Sequence, residues 1–139
     1  MTRFVIDPGV ALRLAADRTV ISGAHQIVAP SLIRSQTLSL LYQAVRRGEL
    51  TRREAEEQLD YLRGLRMRLL GDRVLQAVAW KVASQLEWPD TLSAEYVALT
   101  ELQADALVTL DAELAQAASK LVNIAPISAL SDPAARQVR

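Results

Sequence analysis

Ala104–Leu114, ADALVTLDAEL, is the stretch on which the fold turns. The run Ala106-Leu107-Val108-Thr109-Leu110 is apolar but for one threonine, and it ends on an acid, Asp111. Helix-forming residues, Ala112 to Leu121, follow at once. A short apolar run bounded this way reads as a strand buried on both faces, as in a parallel sheet. The acid then stands at the strand's carboxyl end, where open α/β sheets place their ligand crevices.

The amino-terminal segment repeats this grammar. Arg3-Phe4-Val5-Ile6 is strand-like and stops at Asp7; Pro8, Gly9 and the helical run Val10 to Ala16 follow. Asp7 can cap that helix, with Pro8 at its first position, where a missing N–H costs nothing. Either acid alone reads equally well as a plain N-cap. Two of them at two strand ends point to a shared crevice.

Outward from these two ends, the chain alternates strands and helices. Gln26 to Ala29 is a second strand, and Pro30-Ser31 opens a helix from Leu32 to about Arg47, closed by Gly48. Leu32, Ile33, Leu40, Leu41, Ala44 and Val45 form its apolar stripe, and Gln36 falls on that stripe. An inward amide needs hydrogen-bond partners, so Gln36 is either a satisfied core residue or a polar group facing a site. Thr51 and Glu54 have the spacing of a capping box, and the helix they open ends at Gly64. Leu40 to Leu62 thus reads as a helical hairpin. Arg66 to Leu70 reads as a strand or a connector. Asp72 caps a helix to about Leu86, with Val74, Leu75, Val78, Ala79 and Val82 inward. Ser93 to Gln103 is apolar almost all round, which predicts a buried helix. Leu121 to Ile124 is a last strand, and the polar segment 128–139 is expected to fray as a tail beyond a domain of residues 1–127. The expected architecture is α/β, a central mostly parallel sheet flanked by helices.

Composition narrows the function. The 139 residues are 50% hydrophobic and 23% charged, with formal net charge +0. A neutral chain has no global field for nucleic acid, so any such contact rests on local patches. There is no cysteine for a thiolate metal site, no run long enough to span a membrane, and no signal-peptide pattern, all compatible with a cytoplasmic protein. Neither GxGxxG nor GxxxxGK[ST] occurs. His25, the single histidine, is expected in a surface loop before a strand, with no second His or Cys to support catalysis. Arg46, Arg47, Arg52, Arg53, Arg63, Arg66 and Arg68 read as a solvated face balanced by Glu49, Glu54, Glu56, Glu57 and Asp60. Trp80 and Trp88 read as packing residues rather than base-stacking platforms.

Three segments carry a resemblance: FVIDPGVALRL at Phe4–Leu14, IVAPSLIRSQTLSLLY at Ile27–Tyr42, and LSAEYVALTELQADALVTLDAEL at Leu92–Leu114. In order and spacing they resemble the PIN domain, in particular the VapC toxins of bacterial toxin–antitoxin pairs. The resemblance covers nearly the whole chain, and its last segment is the most specific. It implies a PIN-like domain, a metal-dependent endoribonuclease with about four acids at the strands' carboxyl ends, a cognate antitoxin and a homodimer.

Carried over by position, the family's acids fall on Asp7, Gln36, Ser93 and Asp111, so two acids are kept and two replaced by neutral residues. Asp7 and Asp111 are the expected catalytic and metal-binding residues, with Mg²⁺ or Mn²⁺ as the implied cofactor. Carboxylates brought close together repel, and a divalent ion offsets the repulsion. Gln36 can offer a carbonyl oxygen and Ser93 a hydroxyl, but neither brings charge. Metal binding and hydrolysis are therefore expected to be weak or lost. Asp90, three residues before Ser93, is a candidate substitute acid. Glu95 is expected to point away from Ser93, and Asp105 and Glu113 match no family position. Two rival readings stand: a pseudo-nuclease that binds an antitoxin or RNA, and a plain structural domain in which Asp7 and Asp111 only cap helices.

Overall fold

The computed structural model describes residues 1–133. Five strands, β1 (Thr2–Ile6), β2 (His25–Pro30), β3 (Met67–Leu70), β4 (Ala106–Val108) and β5 (Ile124–Ala125), form one sheet in the order β3-β2-β1-β4-β5. Every neighbouring pair is parallel. Six α-helices flank it: α1 (Pro8–Asp17), α2 (Leu32–Arg46), α3 (Arg52–Gly64), α4 (Arg73–Gln85), α5 (Leu92–Gln103) and α6 (Ala112–Ala118). This is the expected α/β architecture, consistent with a PIN-like fold, and α2 with α3 makes the expected helical hairpin.

The strand order explains where a site can form. From β1 the chain adds β2 and β3 on one side, then crosses to add β4 and β5 on the other. The helices that follow β1 and β4 start there, and open α/β sheets place their ligand crevices at the carboxyl ends beside such a switch point. Asp7 follows β1 directly, and Asp111 lies three residues beyond β4.

Burial accounts for the strand sequences. Phe4, Val5 and Ile6 of β1 and Ala106, Leu107 and Val108 of β4 have no exposed surface, because helices cover both faces. Each fully buried large side chain contributes about 1.5–3 kcal/mol of transfer free energy. The edge strand β3 keeps Arg68 exposed, which discourages pairing with another chain. Helix α5 is buried along Ala94 and Tyr96–Thr100, packed on α4 and across β1, β2 and β4.

Local signals set the helix ends. The Asp7 side chain caps α1, Asp72 caps α4 through the Leu75 N–H at 2.9 Å, and Thr51 and Glu54 bond reciprocally at 3.1 and 2.9 Å to start α3. The hairpin's charges pair in solvent, Arg47 with Glu49, Arg52 with Glu56, Arg53 with Glu57 and Arg63 with Asp60. Such exposed pairs add little stability.

Several expectations need correction. The segment Arg66 to Leu70, open between strand and connector, supplies strand β3. The last strand begins at Ile124, not Leu121, because Leu121 and Val122 donate their N–H groups to the Ala118 carbonyl and close α6 three residues early. On α4 the buried face is Leu75, Ala79, Val82 and Ala83, spaced one and two turns apart. Val74 lies off that face and is 57% exposed, and Trp80 is 74% exposed rather than packed. On α2 the buried line is Ile33, Thr37 and Leu41, so Leu40 turns outward and Gln36 sits half-buried at the border.

His25 is not a surface loop residue. It begins β2 and is buried, its ring edge-on to Phe4 with centroids 5.0 Å apart. Its Nε2–H donates to the Asp132 carbonyl at 2.6 Å. The start of the expected polar tail is also part of the core. Ile127–Leu130 forms a 3-10 helix, Leu130 is fully buried, and its carbonyl accepts from the Ser22 N–H at 3.0 Å. Leu130 is an apolar residue within a polar segment, and one inward side chain suffices to anchor it. The rest of the expected tail, 134–139, lies outside the described residues.

Candidate functional site at the sheet's carboxyl edge

Asp7 caps α1, as its sequence context predicts. Its Oδ1 accepts from the Val10 N–H at 2.9 Å. An N-cap at a helix end is usually wet, yet Asp7 is buried with 7% exposure. Burial pushes its carboxyl above the ordinary carboxylate range, and the nearby charge of Asp111 pushes the same way; the hydrogen bonds from Thr109 and Val10 hold it back in part.

Asp111 caps α6 from a more open position. Its Oδ1 accepts from the Glu113 and Leu114 N–H groups at 3.0 and 3.1 Å. Its own N–H donates to Thr109 Oγ1 at 3.1 Å. The Thr109 hydroxyl in turn donates to Asp7 Oδ2 at 2.5 Å. One threonine therefore joins the Asp7 carboxylate to the Asp111 backbone across the switch point. Both acids are helix caps, but capping alone does not account for this bridge or for the burial of Asp7.

The two neutral positions lie at the same end of the sheet, on different sides. Helix α2 starts where β2 ends, and α5 runs down toward the start of β4, so the first turns of both helices lie at the carboxyl edge. Gln36 accepts a hydrogen bond at Oε1 from the Tyr96 hydroxyl at 2.5 Å. Burial drives the Tyr96 hydroxyl well above its usual ionisation range, and the negative charges of Asp7 and Glu95 add to this. Tyr96 therefore remains a donor.

Ser93 is exposed and shares a recess of about 280 Å³ with Asp111. Asp90, Glu113 and Trp88 also line it. Asp90 thus faces the recess that contains Ser93, although its Oδ1 is engaged by the Leu92 N–H at 3.0 Å. Glu95 does not line this recess; it is half-buried, and burial raises its carboxyl. Asp105 lies at the other end of the sheet, bonded to the Arg3 N–H at 2.8 Å. A larger recess, about 980 Å³, also opens at that end, away from the acids and lined in part by Thr19, His25, Tyr61 and Arg66.

Thr109, Tyr96 and Glu113 belong to the site but do not stand out in the sequence. Thr109 carried a signal: it is the one polar residue of the β4 run, two positions before Asp111. Tyr96 carried another, since it lies three residues after Ser93 and helix neighbours meet at that spacing.

Among the described residues no three acidic or imidazole side chains converge as a metal-holding group. The donor chemistry is nonetheless that of a partial site. Asp7 and Asp111 offer carboxylate oxygens, the donor type a hard divalent ion takes, and the charge of Asp111 raises the Asp7 carboxyl. The Gln36 carbonyl, which already accepts from Tyr96, has one lone pair left and no charge to offer.

No protein-family model matches the sequence, and no curated protein matches it. Among solved structures the chain is similar to the crystal structure of PAE2754 from Pyrobaculum aerophilum, with a TM-score of 0.67 and 20% sequence identity over 93% of this chain and 92% of that one. A likeness at that identity concerns the fold.

Proposed function

We propose that this chain is a VapC-like toxin of the PIN family with a degenerate site, one that hydrolyses RNA phosphodiester bonds weakly and pairs with a cognate antitoxin. The observation that carries the reading is the bridge Asp7–Thr109–Asp111 at the switch point of a parallel sheet. It ties the Asp7 carboxylate to the backbone of Asp111, and the two are the acids that the segment resemblance retains. The homodimer and the cytoplasmic location rest on that resemblance alone. Among the described residues, no helix is long and apolar enough to cross a membrane.

In this reading Asp7 and Asp111 would hold a Mg²⁺ or Mn²⁺ ion, whose chemistry would be to activate water and offset charge on the phosphate. Thr109 fixes the orientation of the Asp7 carboxylate through its hydroxyl. The α6 N–H groups fix that of Asp111, which lines the recess. Asp90 and Glu113 add negative charge around the recess. Charge at the Gln36 and Ser93 positions is missing, which is why hydrolysis is weak.

A second reading follows from the Gln36 contact. With its oxygen committed to Tyr96, the site loses a third ligand, and the fold would serve to bind an antitoxin or RNA without cutting. An RNA cleavage assay in Mn²⁺, with metal affinity measured by calorimetry, separates the two. Cleavage by the native chain that Asp7→Asn abolishes supports the nuclease. RNA or antitoxin binding without metal-dependent cleavage supports the second reading.

A further inference from the structure

The larger recess, about 980 Å³, lies at the other end of the sheet from the acids. Its volume falls within the range of small-molecule sites, about 300–1,000 Å³. The loop after α1, the start of β2, the end of α3 and the entry to β3 form its walls. These walls are tied down. The Tyr61 hydroxyl donates to the Thr19 carbonyl at 2.6 Å, and the Ser22 N–H donates to the Leu130 carbonyl at 3.0 Å. Ile21, Tyr61, Leu65 and Met67 are half-buried in the lining and leave apolar surface open. Arg66 and Arg68 line the same recess and are exposed, and among the described residues neither has an ion-pair partner. The hairpin acids that the sequence sets against them are engaged elsewhere. Asp60, also in the lining, pairs with Arg63 at 2.8 Å; Glu49, Glu56 and Glu57 pair with Arg47, Arg52 and Arg53; Glu54 caps α3. Residues 134–139 add Arg136 and Arg139 and no acidic side chain. Two uncompensated guanidinium groups thus stand beside apolar surface in one recess.

We propose that this recess binds a small phosphomonoester, its phosphate held by Arg66 and Arg68 and its apolar, ring-sized body laid against Ile21, Tyr61, Leu65 and Met67. The site is separate from the acids at the carboxyl edge and does not depend on how they are read. Charge selects the anion. A phosphomonoester carries about −1.5 to −2 at pH 7, which matches two guanidinium groups, whereas a carboxylate brings half of that. A guanidinium also presents a planar fork of donors that fits phosphate oxygens with two parallel bonds. The apolar lining selects the rest of the ligand. It favours a compact ester with an apolar body over an RNA strand, whose backbone phosphates carry one charge each and whose sugars are polar.

The test uses the untagged full chain in EDTA, so that no metal links a phosphate to the acids. His25 lines the recess and is the single histidine, so its imidazole ¹⁵N signals report on this place alone. Its Nδ1 is buried without a hydrogen-bond partner, so no protein donor fixes its shift. Phenyl phosphate, inorganic phosphate, benzoate and benzyl alcohol are titrated in turn. Phenyl phosphate should move the His25 signals saturably, with a Kd about tenfold or more below that of each of the other three. Arg66→Gln and Arg68→Gln should each weaken it by about tenfold or more, the worth of a hydrogen bond to a charged group. Arg73→Gln, at an exposed arginine outside the recess lining, should leave it unchanged. His25 signals that stay fixed overturn the proposal, as does equal weakening by Arg73→Gln or none by the two recess variants. Inorganic phosphate binding as tightly overturns the apolar body, and benzyl alcohol doing so overturns the anion. Benzoate matching phenyl phosphate overturns the choice of phosphate. A short single-stranded RNA that moves the His25 signals at lower concentration than phenyl phosphate overturns the small ligand. Both recess arginines are exposed, and unchanged melting curves show that their variants are folded. Arg66→Lys keeps the charge and should recover part of the binding that Arg66→Gln loses; no recovery overturns the electrostatic role.

Discussion

The Thr109 hydroxyl donates to Asp7 Oδ2 at 2.5 Å across 102 residues of sequence. The contact ties the end of the first strand to the end of the fourth, and it is the point at which the fold becomes a site. The same oxygen of Thr109 accepts the Asp111 N–H, so one hydroxyl donates to the Asp7 carboxylate and accepts from the Asp111 backbone.

Thr109→Val removes that hydroxyl at nearly constant volume. Asp7 Oδ2 and the Asp111 N–H each lose a partner. The variant should be less stable by about 1–3 kcal/mol, read by urea unfolding. Because the Thr109 bond lowers the Asp7 pKa, the carboxyl should titrate at a still higher pH, read by ¹³C NMR.

Asp7→Asn should change how stability depends on pH. In the folded chain burial raises the Asp7 pKa above its ordinary 3.8, so the folded state keeps the proton where the unfolded chain has lost it. The stability this group contributes is fully present below the unfolded value and disappears as pH rises through the raised folded value. Above that window the chain carries a buried charge at a cost. Asp7→Asn should therefore melt at a higher temperature than the native chain near pH 7. That advantage should shrink as pH falls through the window toward 3.8 and be absent below it. A constant difference across pH, by calorimetry, would contradict this account.

Gln36→Glu with Ser93→Asp restores charge at the two neutral positions. Metal affinity should rise by about tenfold or more, a change of roughly 1.4 kcal/mol, and RNA cleavage should rise with it. Calorimetry with Mn²⁺ and a cleavage assay check both. A flat response would mean that these positions do not face the ion held by Asp7 and Asp111.

Leu130→Ala tests the docking of the carboxyl-terminal segment. A fully buried leucine cut to alanine should cost about 2–5 kcal/mol, visible as a lowered melting temperature. A segment that frays would show no change.

The strands, their order in sequence, the helix caps and the two acids were legible without coordinates. Each depends on short-range chemistry: an apolar run of strand length, an Asp before a helix, a Thr and a Glu three apart. Errors fell where one side chain or one turn decides. Leu121 and Val122 are apolar enough for a strand but are used to end α6. Trp80 and Val74 are apolar but lie off a face set by their neighbours. His25 is polar, yet its ring packs on Phe4 while its Nε2 finds the Asp132 carbonyl.

The sequence by itself determined that this is an α/β chain with acids at two strand ends. These are properties of composition and spacing, which act over a few residues. Only the tertiary structure decided how the four positions meet. The strand order makes β1 and β4 neighbours, so Asp7 and Asp111 follow adjacent parallel strands. A threonine links them, and a tyrosine from α5 claims the oxygen of Gln36. Hydrogen bonds between residues sixty or a hundred positions apart depend on packing angles and on which atoms are buried, and neither is written in local spacing.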